Sequence, residues 1–204
     1  MSKLRSLFGP PKSEIWSKFA DAIGGEFIPG GFWRADRLFF RQGVWDILLD
    51  TYTVSTGQSS ITYTRIRAPF QSLDGMTLKV YPEGFFSSIG KKFGMQDIQI
   101  EDIGFDGSYI IKGNQPGRVR LFLSDRQIKN LIQEQPRVFF AIKTPQGSRK
   151  NRPQEGVKQV FYQCTGIIKD TARLEKLFEL FALSLTQLVK IGSASENTPT
   201  YSYR

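Results

Sequence analysis

The fold is decided by residues 44–68, which read VWDILLDTYTVSTGQSSITYTRIRA. Residues 44–54 and 59–68 are rich in β-branched and aromatic side chains, which favour extended strands. The residues between them, 55–58 (STGQ), are typical of a tight turn, because glycine and small polar residues adopt turn conformations at low cost. The stretch therefore predicts an antiparallel β-hairpin.

Further strands are predicted on both sides of this hairpin. Pro69 and Pro82 each end a strand, because proline has no backbone N–H to donate. The run GNQPG at residues 113–117 is a strong turn signal. The predicted strands outside the hairpin are 37–41, 77–81, 97–101, 108–112, 118–123, 137–143 and 157–164.

Helical spacing of apolar residues marks the remaining elements. Residues 13–23 form an amphipathic pattern that Gly24 ends, since glycine readily adopts the left-handed conformation after a helix. Ser124 and Gln127 form a capping box, so a mid-chain helix is predicted to begin at Ser124. Asp170 is predicted to cap a long C-terminal helix with a wide apolar face.

These elements predict one α+β domain. Its sheet is mainly antiparallel, with an N-terminal helix, a mid-chain helix and a long C-terminal helix, and it has too few helices between strands for a doubly wound parallel sheet. We expect a flexible basic leader at residues 1–12, the domain at 13–192 and a disordered tail at 193–204. The chain of 204 residues, with 17 Phe, is long enough for one sizeable core.

Cysteine content and hydropathy predict a cytoplasmic protein. Cys164 is the lone cysteine, so no internal disulfide can form. The start of the chain lacks the apolar run of a signal peptide. The most apolar stretch, residues 177–189, is too short and too polar to span a bilayer. A peripheral location at the membrane is the alternative, and an integral membrane protein is not expected.

Several enzyme classes are excluded by residue type. The chain has no histidine, so it can form neither a Ser-His-Asp triad nor a Cys-His pair, and one cysteine cannot supply a zinc site. Residues 84–92 differ from a phosphate-binding P-loop, with one residue too many between the glycines and Lys92 where Ser or Thr would hold magnesium. We therefore expect a protein that is not an enzyme and needs no cofactor.

Two carboxylates leave an enzymatic or metal-binding role open as an alternative. On the strand predicted at 97–101, Asp97 and Glu101 would share one face. Such a pair could contribute to a metal site or serve as catalytic carboxylates, although several converging oxygens are needed for magnesium or calcium. A solvated strand face is the simpler interpretation of the same residues.

The charge of the chain favours anionic partners. The net charge is +9 and the isoelectric point about 9.7. Arg149, Lys150 and Arg152 lie in a long polar loop at residues 143–153, which either contacts phosphate groups or is simply solvated. The sequence therefore makes these three residues candidate anion-binding side chains.

A second group combines lysines with aromatic residues. Lys91 and Lys92 are anion-binding candidates, and Phe85, Phe86 and Phe93 are candidate aromatic contacts. Such a mixture suits nucleic acid, through stacking and phosphate contact, or a membrane surface. A turn whose phenylalanines fill the core is the structural alternative.

Part of the chain resembles an uncharacterised family of bacterial hypothetical proteins. The resemblance rests on residues 94–98 (GMQDI), 105–114 (FDGSYIIKGN) and 62–70, and it spans residues 14–135. Tyr109 stands where the family more often has Phe. The later part is loosely similar to a broader bacterial domain of unknown function. The resemblance implies a bacterial, cytosolic protein and no catalytic residue.

The leading functional hypothesis is a non-enzymatic binding module that recognises a protein partner. One alternative is a basic-surface binder of anionic lipid or nucleic acid, which would depend steeply on salt. The other is an enzyme that depends on Asp97 and Glu101.

Overall fold

The computed structural model describes residues 9–31, 34–55, 57–83, 96–146, 153–199, 201 and 203. Its helices are α1 (Lys12–Ile23), α2 (Ile103–Asp106), α3 (Pro116–Leu123), α4 (Arg126–Gln133) and α5 (Thr171–Lys190). Its strands are β1 (Glu26–Ile28), β2 (Arg37–Gln42), β3 (Trp45–Ser55), β4 (Ser60–Gln71), β5 (Leu78–Pro82), β6 (Gln96–Asp97), β7 (Tyr109–Gly113), β8 (Phe139–Lys143) and β9 (Val157–Thr165).

The strands form one sheet in the order β1-β2-β3-β4-β9-β8-β5-β7-β6, and every neighbouring pair is antiparallel. The predicted hairpin is confirmed as β3 and β4, which pair from Ser55 opposite Ser60 to Leu48 opposite Arg67. The late strand β9 joins this hairpin to the other half of the sheet. The α+β class with a mainly antiparallel sheet is therefore confirmed.

The main core lies between one face of the sheet and the helices. Trp16 of α1, Phe122 of α3 and Phe181 of α5 are fully buried in one cluster with strand residues such as Ile66 and Phe140. The indole N–H of Trp16 donates to the carbonyl oxygen of Ile168 at 2.9 Å, so this large side chain is buried without an unpaired donor. In the described chain, no helix is long and apolar enough to cross a membrane.

The opposite face of the sheet, here called the second face, carries a different set of side chains. Register and the alternation of side chains along each strand define it. It includes Arg37, Phe39, Leu48, Asp50, Tyr52, Tyr63, Arg65, Arg67, Lys79, Phe139, Lys143, Gln159, Phe161 and Gln163. Phe39, Leu48 and Phe161 are buried yet lie apart from the main core cluster.

The strand predicted at residues 118–123 is wrong, because these residues belong to helix α3. Pro116 occupies the first turn of this helix, where a missing N–H costs nothing. Val119, Phe122 and Leu123 are buried at helical spacing against the main core. The turn signal at 113–117 was real, but it begins a helix.

The capping box predicted at Ser124 is also wrong. Asp125 caps α4 instead, and its carboxylate accepts from the N–H groups of Gln127 and Ile128 at 2.9 and 3.2 Å. The hydroxyl of Ser124 donates back to the carbonyl oxygen of Leu121 at the end of α3. The mid-chain region thus contains two short helices, α3 and α4, and the residues between them, Ser124 and Asp125, mark the end of the first and the start of the second.

Two strand boundaries differ from the prediction. Pro69 does not end β4, which continues to pair with β9 as far as Gln71. On its other side β4 pairs with β3 only as far as Arg67, so no carbonyl group of β3 loses a hydrogen bond because Pro69 has no N–H. The strand predicted at 97–101 ends at Asp97. Beyond it, the carboxylate of Asp106 accepts from the N–H groups of Ile100 and Asp102, which turns the chain away from the sheet.

The end of α1 and the start of α5 agree with the prediction. Gly24 follows α1 in the left-handed conformation, with φ of 70°. The carboxylate of Asp170 caps α5 by accepting from the N–H of Arg173 at 3.2 Å.

The tail expected to be disordered from residue 193 is ordered where the structure describes it. Ser193 and Ala194 are buried, Ala194 forms a bridge with Ser72, and the N–H of Ser195 donates to Gln71 at 2.9 Å. Further along, Tyr201 is buried and contacts the ring of Tyr203. The described residues of this predicted tail are therefore held by backbone pairing at Ala194 and Ser195 and by the burial of Tyr201.

Candidate functional site

Most of the residues singled out from the sequence belong to two segments, 84–95 and 147–152, that the structure does not describe. The anion-binding candidates Lys91, Lys92, Arg149, Lys150 and Arg152 lie outside the described residues. The same is true of the aromatic candidates Phe85, Phe86 and Phe93.

The structure does not bring Asp97 and Glu101 together on one strand face. Asp97 ends β6, is 77% exposed in its side chain and pairs with the ammonium group of Lys112 at 3.1 Å. Glu101 is exposed at a bend with φ of 63°. Within the described ranges, no group of three or more His, Cys, Asp or Glu side chains is arranged to hold a metal ion.

A cluster of charges that sequence reasoning missed lies in the middle of the second face. It consists of Arg65, Arg67, Lys79 and Lys143 together with Asp50, and is called the basic cluster below. The residues come from β3, β4, β5 and β8, and the strand register places them on one face. Four cations thus share one part of the sheet surface with a single carboxylate of the cluster, which contacts only the two arginines.

Asp50 holds the two arginines of the basic cluster. Its carboxylate accepts from Nε and Nη2 of Arg65 at 2.8 and 2.7 Å, and from Nη2 of Arg67 at 2.5 Å. The Asp50 side chain is only 8% exposed, against 25% for Arg65 and 12% for Arg67. The parallel two-bond contact with Arg65 fixes one guanidinium plane, whereas Arg67 contacts the carboxylate through Nη2 alone.

Lys143 contacts an aromatic ring and, among the described residues, forms no ion pair with a carboxylate. Its ammonium group lies 3.4 Å from the centre of the Phe161 ring, a favourable cation–π contact. Burial, together with the positive charges of Lys79, Arg65 and Arg67, lowers the pKa of Lys143 to about 8. An anion bound beside Lys143 would relieve this repulsion.

The unfavourable environment of the Lys143 charge should make the stability of the protein depend on pH. Since the Lys143 pKa falls from 10.5 in the unfolded chain to about 8 in the fold, the unfolded chain binds more protons between these pH values. Stability should therefore rise with pH across that window. After discounting for solvent screening, Lys143→Met should raise the free energy of unfolding near neutral pH by about 1 kcal/mol and flatten this rise.

Urea unfolding near neutral pH and near pH 10.5 measures both effects. Lys112→Met is the matched control on the same face, because Lys112 is paired with Asp97 and its pKa is raised by that hydrogen bond. A Lys143 variant that is less stable than the parent near neutral pH would contradict the charge argument.

Aromatic side chains border the basic cluster on the hairpin side. The rings of Tyr52 and Tyr63 stack at 5.2 Å, and the Arg65 guanidinium lies over the Tyr52 ring at 4.8 Å. Beyond them, Val54 and Ile61 at the hairpin tip are 43% and 39% exposed. A ligand on the second face would thus meet charge in the centre and apolar surface towards the tip.

Arg67 has an unused donor. Its Nε is buried and has no hydrogen-bond partner among the residues that the structure describes. Its guanidinium carbon lies 3.9 Å from the centre of the Tyr203 ring. Burial lowers the pKa of Arg67, with the charge of Asp50 opposing this.

The sequence carried one signal for this site. In β4, buried Thr64, Ile66 and Ala68 alternate with Arg65 and Arg67. That alternation puts both arginines on the face opposite the core. No pattern in the sequence around Lys79 or Lys143 indicated that they belong to this cluster, because only the order of the strands brings them to the same part of the sheet as the arginines.

Comparisons with known proteins describe the fold alone. Neither a protein-family model nor a curated protein sequence matches the chain. The chain is similar in fold to the crystal structure of the mycobacterial trehalose monomycolate transport factor A, TtfA. The TM-score is 0.55 at 8% sequence identity, over 90% of this chain and 97% of that chain.

Proposed function

We propose that the protein is a non-enzymatic binding module that recognises an acidic peptide segment of a protein partner on the second face of its sheet. The observation that carries this proposal is the excess of positive charge in the half-buried basic cluster, where Asp50 pairs with Arg65 and Arg67 and, among the described residues, Lys79 and Lys143 have no carboxylate partner. Carboxylates of a bound segment would complete the pairing of Lys79 and Lys143.

The physical state of the basic cluster supports ligand binding over a purely structural role. A structural cluster would be expected to pair its charges within the fold, because unpaired buried charge is costly. The lowered pKa of Lys143 and the Nε of Arg67, which has no partner among the described residues, indicate that the pairing within this part of the chain is incomplete. Such strain is often found where a site is prepared for a ligand.

A peptide is favoured over a nucleic acid as the ligand because residues near the C-terminus of the chain already lie on the second face. The described C-terminal residues Tyr201 and Tyr203 rest there, and Arg37 donates to the backbone carbonyl oxygen of Tyr203 at 3.4 Å. The second face therefore accommodates an extended chain with aromatic side chains. The similar fold belongs to a protein described as a transport factor, which is compatible with a binding role.

The test is a titration of the full chain against four fluorescent probes. These are a synthetic peptide of alternating glutamate and tyrosine, its glutamine counterpart, a single-stranded oligothymidine, and vesicles that contain phosphatidylglycerol. We expect the acidic peptide to bind, its binding to weaken with added salt, and the glutamine peptide to bind much less.

The other outcomes separate the competing functions. Binding of the oligonucleotide without the acidic peptide would overturn the proposal in favour of nucleic acid. Binding of vesicles alone would favour anionic lipid.

A further inference from the structure

The C-terminal residues cover one side of the basic cluster. Tyr201 is 6% exposed, and its ring meets that of Tyr203 edge to face at 5.1 Å. Tyr203 in turn lies against Arg67. The segment thus buries tyrosine surface on the same face that we propose for a partner peptide.

The ring, the hydroxyl group and the backbone carbonyl group of Tyr203 all make contacts on the second face. Its ring covers the guanidinium of Arg67, its hydroxyl donates to the side-chain oxygen of Gln159, and its carbonyl oxygen accepts from Arg37. Burial raises the pKa of the Tyr203 hydroxyl to about 12, so this group stays a donor at any physiological pH. Ring, hydroxyl and backbone are the groups through which a foreign tyrosine-containing peptide would also bind.

The segment is attached in a way that allows it to leave. Its anchor is upstream, where Ala194 bridges Ser72 and Ser195 pairs with Gln71. Residues 196–198 between this anchor and Tyr201 are exposed. Neither Tyr201 nor Tyr203 belongs to a strand of the sheet. Release of the tyrosines would therefore leave the sheet and the main core intact.

We propose that the C-terminal segment is an intramolecular ligand, which occupies the Arg67 side of the basic cluster and must be displaced before an acidic peptide of a partner can bind there. This inference rests on the proposed function. A tethered competitor lowers the apparent affinity of a partner by the fraction of molecules whose site is open. Displacement also exposes Nε of Arg67, which has no partner in the described fold.

The test uses full-length variants and the acidic peptide probe. Tyr203→Ala removes the ring and the hydroxyl, and it should tighten binding of the acidic peptide by roughly tenfold, because the site is then mostly open. Tyr203→Phe keeps the ring over Arg67 and loses only the hydroxyl with its polar contacts, among them the bond to Gln159, so it should have a smaller effect. Thr198→Ala, at an exposed position of the same segment, is the control and should leave binding unchanged.

A second measurement follows the contact itself without any partner. The Nε–H signal of Arg67 in a nuclear magnetic resonance spectrum should shift in Tyr203→Ala and not in Thr198→Ala, since an aromatic ring leaves the guanidinium only in the first. A synthetic peptide with the sequence of residues 195–204, SENTPTYSYR, should restore the signal when added to Tyr203→Ala. The same peptide should compete with the acidic probe.

The outcomes distinguish the two proposals. Equal affinity of parent and Tyr203→Ala for the acidic peptide would overturn the intramolecular ligand while the binding function stands. An Arg67 signal that is the same in parent and Tyr203→Ala would also overturn it. If the signal shifts and SENTPTYSYR restores it, but no variant binds the acidic peptide, the intramolecular contact is supported and the proposed function fails.

Discussion

Replacing Asp50 by asparagine is expected to lower the free energy of unfolding by about 3 kcal/mol. The carboxylate is the only group of the basic cluster that carries negative charge, and it accepts three hydrogen bonds from two guanidinium groups. Asparagine offers one acceptor oxygen and points an NH2 group at a donor. Arg65 and Arg67 would then repel each other with their charges half-buried and unpaired.

Chemical denaturation of Asp50→Asn measures this loss, and Asp97→Asn is the matched control. The same change of group at Asp97 removes an ion pair whose carboxylate is 77% exposed. Exposed pairs contribute little, so the control should lose no more than about 0.5 kcal/mol. If both variants lose equally little, the two arginines are solvated and the basic cluster is not the strained site described above.

Replacing both Lys79 and Lys143 by glutamine is expected to weaken binding of the acidic peptide by roughly 30-fold or more, because two charge-assisted hydrogen bonds are lost. The arginines would stay in place through Asp50. Because neutralising Lys143 also removes repulsion within the fold, the variant should be at least as stable as the parent. Loss of binding without loss of stability is the pattern of a ligand site.

Binding titrations and denaturation on the same samples test this pair of effects. Lys112→Gln, on the same face and paired with Asp97, should bind like the parent. A further variant, Arg149→Gln with Lys150→Gln and Arg152→Gln, tests the loop that the sequence favoured. Loss of binding in the loop variant, with the Lys79 and Lys143 variant unaffected, would move the anion site from the second face to the loop.

Local chemistry explains which parts of the fold were predictable. The β3–β4 hairpin and the ends of α1 and α5 depend on residues close in sequence, including Gly24 and Asp170, and these predictions are confirmed. The segment 118–123 failed for a physical reason. Its Val, Leu and Phe residues suit a strand as well as a helix, and burial against α5 and the core decided in favour of α3.

The sequence by itself determined the class of fold, the position of the main hairpin, the helix ends at Gly24 and Asp170, and the net positive charge. Strand alternation further implied that Arg65 and Arg67 share a face. Only the tertiary structure brought Lys79 and Lys143 to them, because β9 pairs with β4 and β8 with β5 across long separations in the chain. Side chains on neighbouring strands meet through register and strand order, and no local pattern encodes either. The basic cluster and the tyrosine segment above it are therefore properties of the folded sheet.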